Sequence, residues 1–344
     1  MTATPEVAAG PAARAAVLVL AYGGPQSLEG VEPFLERVLA PQSPSPDMLE
    51  RARERYRAIG GSSPLTENSV AQAAALEERL NGPSRESVSV ALGRPTLVRA
   101  FLGMRFSEPS IPTAVESALA FSDPDSVVAT VILASHQSDG ATGGYVTAAR
   151  SALAATVGGH RPPSSGERLA FVPQWHTHPR FLDAIAENAA AALEGVHANG
   201  DGDTFVLFTA HSLPIDGRAG HGEYEAALTQ TAEGVMRRLG ALPWRLAYQS
   251  RSGRKGVEWL GPDAGEVLHE EASVGRRRVA VVPLGFVSEH LETLYDLDIA
   301  LAGEAAALGL GFSRAGTVQD HPGFVTALAD SVIALWGTRV VMAR

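Results

Sequence analysis

The 344-residue chain contains no cysteine. Disulfides, cysteine-ligated zinc and cysteine-held iron–sulfur clusters are therefore excluded, and a reducing cytoplasm is the natural compartment. Long hydrophobic runs are missing too, since no apolar stretch approaches the ~20 residues needed to span a bilayer. The opening MTATPEVAAGPAARAAVLVLAYGG lacks the basic region of a signal peptide and reads as a disordered lead running into a first strand. Positive charge is not in excess: a net charge of −10 and a pI near 5.5 argue against a nucleic-acid surface. Neither a dinucleotide fingerprint nor a phosphate loop is present, because GLGF (309–312) and GGSSP (60–64) carry glycines without the required spacing after a strand. HEXXH and G-x-S-x-G are absent, which removes the common zinc-protease and α/β-hydrolase chemistries.

What remains is ample apolar material. Hydrophobic residues make up 45% of the chain, enough for one large or two medium cores. Strand-like runs recur at 16–22, 97–106, 126–135, 168–175, 204–210, 244–250 and 277–286. Amphipathic stretches such as SVAQAAALEERL and HPRFLDAIAENAAAALEGV lie between them. This alternation predicts an α/β fold with parallel sheets, in two doubly wound halves rather than one very wide sheet. The expected division assigns 1–133 and 315–344 to the first half and 134–314 to the second. The last helical stretch would then pack back on the first half. Pro-, Ser- or Gly-rich breaks stand at 40–47, 81–87 and 161–167.

Several short stretches could carry chemistry. In DTFVLFTAHSLP, His211 sits just past the carboxyl end of a strand, where open parallel sheets bind ligands. PLGFVSEHLETLYDLD (283–298) also begins at a strand's carboxyl end. If it continues as a helix, Glu292 and Asp296 fall at i and i+4 on one face and repel unless a cation relieves them. Imidazole and carboxylate together suit a divalent transition metal or general acid–base work. In AYGGPQS, Tyr22 ends the first strand ahead of glycines that allow close backbone approach. In IGGSSPLTEN, Ser63 reads as an N-cap with Pro64 opening the helix. His136 leaves a strand into the glycine-rich SHQSDGATGGY, which ends at Tyr145 and reads as a loop. His176 and His178 precede Pro179 and read as a helix entry. Taken singly, each of these residues also has an ordinary structural explanation.

Taken together, AYGGP, YRAIGGSSPL, FLGMRF-SEP, TAHSLP, YQSR…EWLGPD and VPLGFVSEHLETLYDLD occur in order over nearly the whole chain. The set resembles the ferrochelatase family, which inserts ferrous iron into porphyrins. The resemblance implies two Rossmann-like halves related by a pseudo-twofold, with the porphyrin in the cleft between them. It puts the family's histidine on His211 and its catalytic glutamate on Glu292, with His211, Glu292 and Asp296 toward the metal and His136 as a further candidate ligand. It puts Tyr22, Arg57, Ser63 and Tyr145 near the porphyrin. Tyr22 matches the branch that metallates coproporphyrin III, which favours that substrate over protoporphyrin IX. The sequence also departs from the pattern. The third position of the family's acidic row is Ala300, and the cluster-holding cysteines of many relatives are lacking.

The resemblance thus predicts a ferrochelatase, a lyase of haem and porphyrin biosynthesis, with ferrous iron as substrate and no permanently bound cofactor. The expected partners are the porphyrin and ferrous iron, without nucleic acid, and the expected state is a cytoplasmic monomer. Peripheral contact with a membrane or with a haem acceptor stays open, as do two rival readings: a chelatase for another metal or tetrapyrrole, and a non-catalytic tetrapyrrole carrier.

Overall fold

The computed structural model describes residues 12–137, 139–156, 168–197, 203–215, 221–251 and 256–342. The N-terminal lead and the break at 161–167 lie outside them. The first half runs β1 (Ala13–Ala21), α1 (Val31–Leu39), α2 (Pro46–Ala58), α3 (Leu65–Asn81), α4 (Arg85–Leu92), β2 (Thr96–Met104), α5 (Ile111–Phe121), β3 (Val128–Ile132), α6 (Asp139–Thr156) and β4 (Leu169–Phe171). The second begins with α7 (Pro179–His197) and continues through β5 (Thr204–His211), α8 (His221–Leu239), β6 (Trp244–Gln249), α9 (Ala264–Ser273) and β7 (Arg278–Val282). A π-helix (Glu292–Leu301), α10 (Ala302–Ala307), β8 (Gly311–Arg314) and α11 (Pro322–Met342) complete the chain.

All pairings within the two four-stranded sheets are parallel, and the two share one topology. Their orders are β2-β1-β3-β4 and β6-β5-β7-β8, the second repeating the first four strands later. In each sheet the winding reverses beside the first strand, so a topological switch point lies between β1 and β3 and another between β5 and β7. Ligands of open α/β sheets bind at the carboxyl ends of such strands. The strand cores are buried on both faces, as layers of helix on either side require: β3 and β7 are buried throughout.

Local chemistry sets the element ends. Ser45 caps α2 by accepting from Met48 N at 3.2 Å, with Pro46 at the first turn. Asp263 and Glu266 form a capping box at α9. The largest core cluster joins the halves through Trp175, Phe181, Phe208, Phe324 and Trp336. The indole of Trp336 on α11 donates to the Val127 carbonyl at 3.1 Å, tying the C-terminal helix to the first half.

Three expectations need correction, and one strand was not anticipated. The first sheet does not stop at 133, because β4 hydrogen-bonds along β3 in the register Val128↔Leu169 to Thr130↔Phe171. The helix α6 is the crossover of a β-α-β unit and brings β4 back parallel beside β3. SHQSDGATGGY is not a loop beyond its start, since α6 begins at Asp139. HLETLYDLD is π-helical from Glu292 rather than α-helical. Finally β8, only four residues long and half-buried throughout, carries too short and too weak an apolar signal to be read.

Candidate functional site

His211 is the last residue of β5, paired in register with Gln249 on β6. After β7, a turn in which Gly285 N donates to the Thr209 carbonyl folds the chain back over the end of β5. The π-helix starts there, and Gln249 Nε2 donates to the Glu292 carbonyl at 2.9 Å. Two segments 81 residues apart thus meet, and His211 Nδ1 lies 2.9 Å from Glu292 Oε2. A carboxylate only accepts, so Nδ1 carries the hydrogen and Nε2 is left as the basic atom of the neutral ring. Both side chains keep contact with solvent, at 37% and 27% exposure. Wide π-helical turns are frequent at functional sites, and this one carries Glu292 at its first position.

The charges are coupled. Burial would push the Glu292 carboxyl up, but the His211 charge and hydrogen bond, with His290 and Arg55 nearby, hold it down to about 2. Burial would lower His211, and Glu292 together with Asp296 more than reverses that, so the imidazole is raised. His290 packs at a tilt against Phe286, 4.5 Å between ring centroids, with Nε2 at 4.0 Å from Glu292 Oε2. Burial there prevails and keeps His290 below its ordinary value.

Asp296 lies one step further along the π-helix. One of its oxygens takes the Arg55 guanidinium from α2, and the other accepts from the Ser250 hydroxyl. Arg55 also lies over the Tyr295 ring, 4.9 Å from its centroid. Burial still raises the Asp296 carboxyl despite Arg55, and Glu292 adds to the rise. Arg57 is elsewhere, since two residues along a helix turn the side chain to another face. It pairs with Glu50 at 2.8 Å on the exposed side of α2. Ala300 adds no third carboxylate.

The first half supplies an aromatic wall. Tyr22, just past β1, packs on Phe106 at 4.7 Å and Phe34 at 6.3 Å. Burial of its hydroxyl, followed by the Glu292 charge, raises that group to about 12, while the residue as a whole remains 40% exposed. Behind it, Gly23 has φ +91° and Gly24 faces Ser63; a Cβ on Gly24 would lie 2.7 Å from the Ser63 hydroxyl. Ser63 is buried, and its N–H donates to the Pro25 carbonyl at 2.8 Å. Tyr145 is buried on α6 beneath Arg105, whose guanidinium lies over the rings of Phe106 and Tyr145 at 4.8 and 5.5 Å. A Cβ on Gly144 would collide with that guanidinium, so the glycine makes the room.

His136 lies deeper. Its Nδ1 meets Ser135 Oγ at 2.8 Å and its Nε2 meets Thr231 Oγ1 at 2.9 Å, so both ring nitrogens are occupied. Burial, with His176 beside it, pushes it down to about 3. Its link to the site is indirect, through the edge of Tyr224, whose hydroxyl donates to the His211 carbonyl at 3.2 Å. His178 pairs with Asp330 at 3.5 Å. His211, Glu292, Asp296 and Tyr22 therefore come together, with Ser63 and Tyr145 behind the aromatic wall and Arg57 and His136 apart. Sequence reasoning missed His290, Arg55, Arg105 and Ser250. His290 had a signal, two residues before Glu292 in SEHLE; Arg55 had none, because its partner is 241 residues away.

The ferrochelatase family model matches residues 14–335. A ferrochelatase from Herpetosiphon aurantiacus is 34% identical over 93% of this chain and 98% of its own. A coproporphyrin III ferrochelatase from Frankia alni is 34% identical over 92% of this chain and 79% of its own. A multi-domain protein of known structure from Deinococcus radiodurans, described as similar to chelatases with two additional domains, aligns at 17% identity and a TM-score of 0.45. That alignment covers 94% of this chain, which spans 55% of the longer protein.

Proposed function

The chain belongs to the ferrochelatase family, and we propose that it inserts ferrous iron into coproporphyrin III in preference to protoporphyrin IX. The observation that carries the reading is the His211–Glu292 pair, 2.9 Å apart at the carboxyl end of β5 and open to solvent. Insertion exchanges two pyrrole protons for one divalent cation, so the site must accept protons and tolerate a cation at the same place. His211 takes the two protons one at a time through Nε2, releasing the first to water before it accepts the second, while Glu292 steadies the imidazolium that forms each time and balances the incoming iron. No three His, Asp or Glu side chains among the described residues are grouped to hold a metal. A site of two groups suits a cation in transit.

The aromatic wall of Tyr22, Phe34 and Phe106 offers the flat macrocycle an apolar surface. Binding that favours a bent ring over a flat one exposes the pyrrole lone pairs and lowers the barrier. Two features support coproporphyrin III: Tyr22 at the wall, and relatives that carry that substrate in their names. Iron is a substrate in this scheme, and no permanent cofactor is invoked. No described helix is long and apolar enough to cross a membrane.

The test is anaerobic insertion of ferrous iron by the purified protein, with coproporphyrin III and protoporphyrin IX compared. Faster turnover of coproporphyrin III is expected, together with loss of insertion but retained porphyrin binding in His211→Ala. Equal or reversed preference would overturn the substrate assignment, and an active His211→Ala would overturn the role of the pair.

A further inference from the structure

We propose that Asn81 and Glu77 on α3 stand in for a neighbouring strand along β2, and so keep the first sheet from pairing with a second copy of this chain. β2 is an outermost strand of that sheet and, at nine residues, the longest of the four edge strands. Along one side it pairs with β1, from Ala13↔Thr96 to Ala21↔Met104. The other side of such a strand presents a row of N–H and C=O groups on which an extended chain can add, its own copy included.

Two side chains occupy that row over its middle. Asn81 takes both outward groups of Val98: Oδ1 accepts from Val98 N at 3.0 Å, and Nδ2 donates to the Val98 carbonyl at 2.8 Å. A residue of an adjoining strand would make the same two bonds. One turn earlier on α3, Glu77 Oε2 accepts from Ala100 N at 2.8 Å, at the next outward position. The spacings match because four residues of helix rise about 6 Å and two residues of strand about 6.6 Å. Asn81 Nδ2 also donates to the Glu77 carbonyl at 2.9 Å, and the buried Leu76 and Leu80 hold this part of α3 on the sheet. Both guarding side chains are half-buried, so the edge they cover borders solvent. Leu97, on the strand's other face, is 47% exposed and would give an added strand apolar surface to bury. Arg99 is a second guard. In a twofold antiparallel pairing that joins Val98 to Ala100 of the second copy, Arg99 would face its own counterpart, and like charges directly opposite repel. Its guanidinium lies instead over the rings of Phe101 and Phe121, at 5.5 and 5.4 Å.

The experiment is analytical ultracentrifugation of the full-length protein at about 0.15 M salt, where its net charge of −10 is largely screened, with hydrogen exchange on the same samples. The wild type should sediment as a 36.0 kDa monomer at every concentration, with the Val98 and Ala100 amides protected. Glu77→Ala/Asn81→Ala should double in mass as its concentration rises. When dilute, its Val98 and Ala100 amides should exchange about tenfold faster, as the loss of one hydrogen bond each allows. In the dimer they should be protected again. Adding Arg99→Thr should tighten that dimer about two- to fivefold. Glu77→Ala alone leaves both bonds to Val98 in place and serves if the double variant does not fold: Ala100 should exchange faster while Val98 does not. A double variant that stays monomeric, an association that leaves Val98 and Ala100 unprotected, or a dimer that Arg99→Thr makes no tighter would overturn the proposal. A wild type that dimerises with added protection at these amides, or an unchanged Ala100 amide in Glu77→Ala, would overturn it equally.

Discussion

Arg314 is where the fold's hold on the π-helix can be measured. It stands at the end of β8, with Nη1 2.9 Å from Glu289 Oε1 and Nε and Nη2 forking onto both oxygens of Asp298 at 2.5 and 2.7 Å. Arg314 and Glu289 are largely buried, at 12% and 14% exposure, whereas Asp298 is 34% exposed. One carboxylate precedes Glu292 and the other lies on the π-helix, so the guanidinium pins that segment to the second sheet. Replacing Arg314 by Met keeps the length and removes the charge. Breaking one side of a buried ion pair costs ~3–5 kcal/mol. Glu289 keeps its bonds from Thr317 N and Oγ1, and Asp298 can regain water, so the lower end of ~3 kcal/mol applies. At ~2 °C per kcal/mol for a chain of this size, Tm should fall by about 6 °C at pH 7. The pH dependence is a second check. Burial favours the neutral form of Glu289, but Arg314 and the Thr317 N–H prevail and keep its carboxyl below the ordinary value of 4.5. A depressed carboxylate stabilises the fold above the unfolded pKa and loses that contribution as pH falls through the folded one. In Arg314→Met burial prevails, the carboxyl rises, and acid relieves the variant while it penalises the wild type. The gap should therefore narrow between pH 7 and pH 4 in thermal melts. A variant within 2 °C of wild type at pH 7 (about 1 kcal/mol or less), or a gap that does not change with pH, would refute the argument.

Two further perturbations probe the site itself. In Glu292→Gln the group that holds the His211 imidazole up against burial is gone, so its pKa should fall below the ordinary 6.5. Insertion should drop about 100-fold or more, the usual contribution of positioned acid–base catalysis; an NMR titration of the imidazole that does not move would contradict this. In Gly144→Ala the new methyl displaces the Arg105 guanidinium, the mobile end of its side chain. Melts should shift by less than ~1 kcal/mol, since the displaced end can move aside, while coproporphyrin III binding, followed by fluorescence, should weaken several-fold. Unaltered porphyrin affinity would remove Arg105 from the binding wall.

The residues legible in the sequence were those whose signal is local. His211 was readable because a short apolar run fixes a strand end, and strand ends of parallel sheets are where ligands sit. Glu292 and Asp296 were readable from their spacing, and the repulsion that spacing implies called for a cation. The cation, Arg55, was invisible because ion pairs across a fold leave no mark in nearby sequence. Arg57 drew attention instead, since it lies in a recognisable motif, yet two residues of helix separate a side chain in the site from one in solvent. The π-helical winding was equally hidden, because α and π turns share residue preferences and differ in how the segment is anchored at Arg314, Gln249 and Thr293. Glycine misled once: GATGG reads as a loop, whereas Gly144 sits in a helix to admit Arg105. The division at 133 went astray for a different reason: the run 168–175 reads as a strand, but that β4 joins the first sheet is visible only in its pairing with β3.

The repeated strand order explains how one site acquires two unlike walls. Each half brings a first strand to its switch point, β1 ending ahead of Tyr22 and β5 ending at His211. Had the two ends stayed alike, the site would hold either two aromatic faces, with nothing to take a proton, or two charged groups, with no apolar surface for a macrocycle. Their divergence separates the tasks. The first half contributes rings and a guanidinium stacked on them, which suit a flat anion-bearing ligand. The second contributes an imidazole–carboxylate pair with one nitrogen free, which suits a proton and a cation. Joining them requires the halves to keep a fixed spacing, and the side chains that do so do not react. Gln72 on α3 donates to the Val287 and Gln319 carbonyls at 3.0 and 2.9 Å, and Asn68 donates to that of Glu289 at 3.4 Å. Two of these three bonds end on the backbone shortly before Glu292, at Val287 and Glu289, so the first half positions the carboxylate that the second half uses.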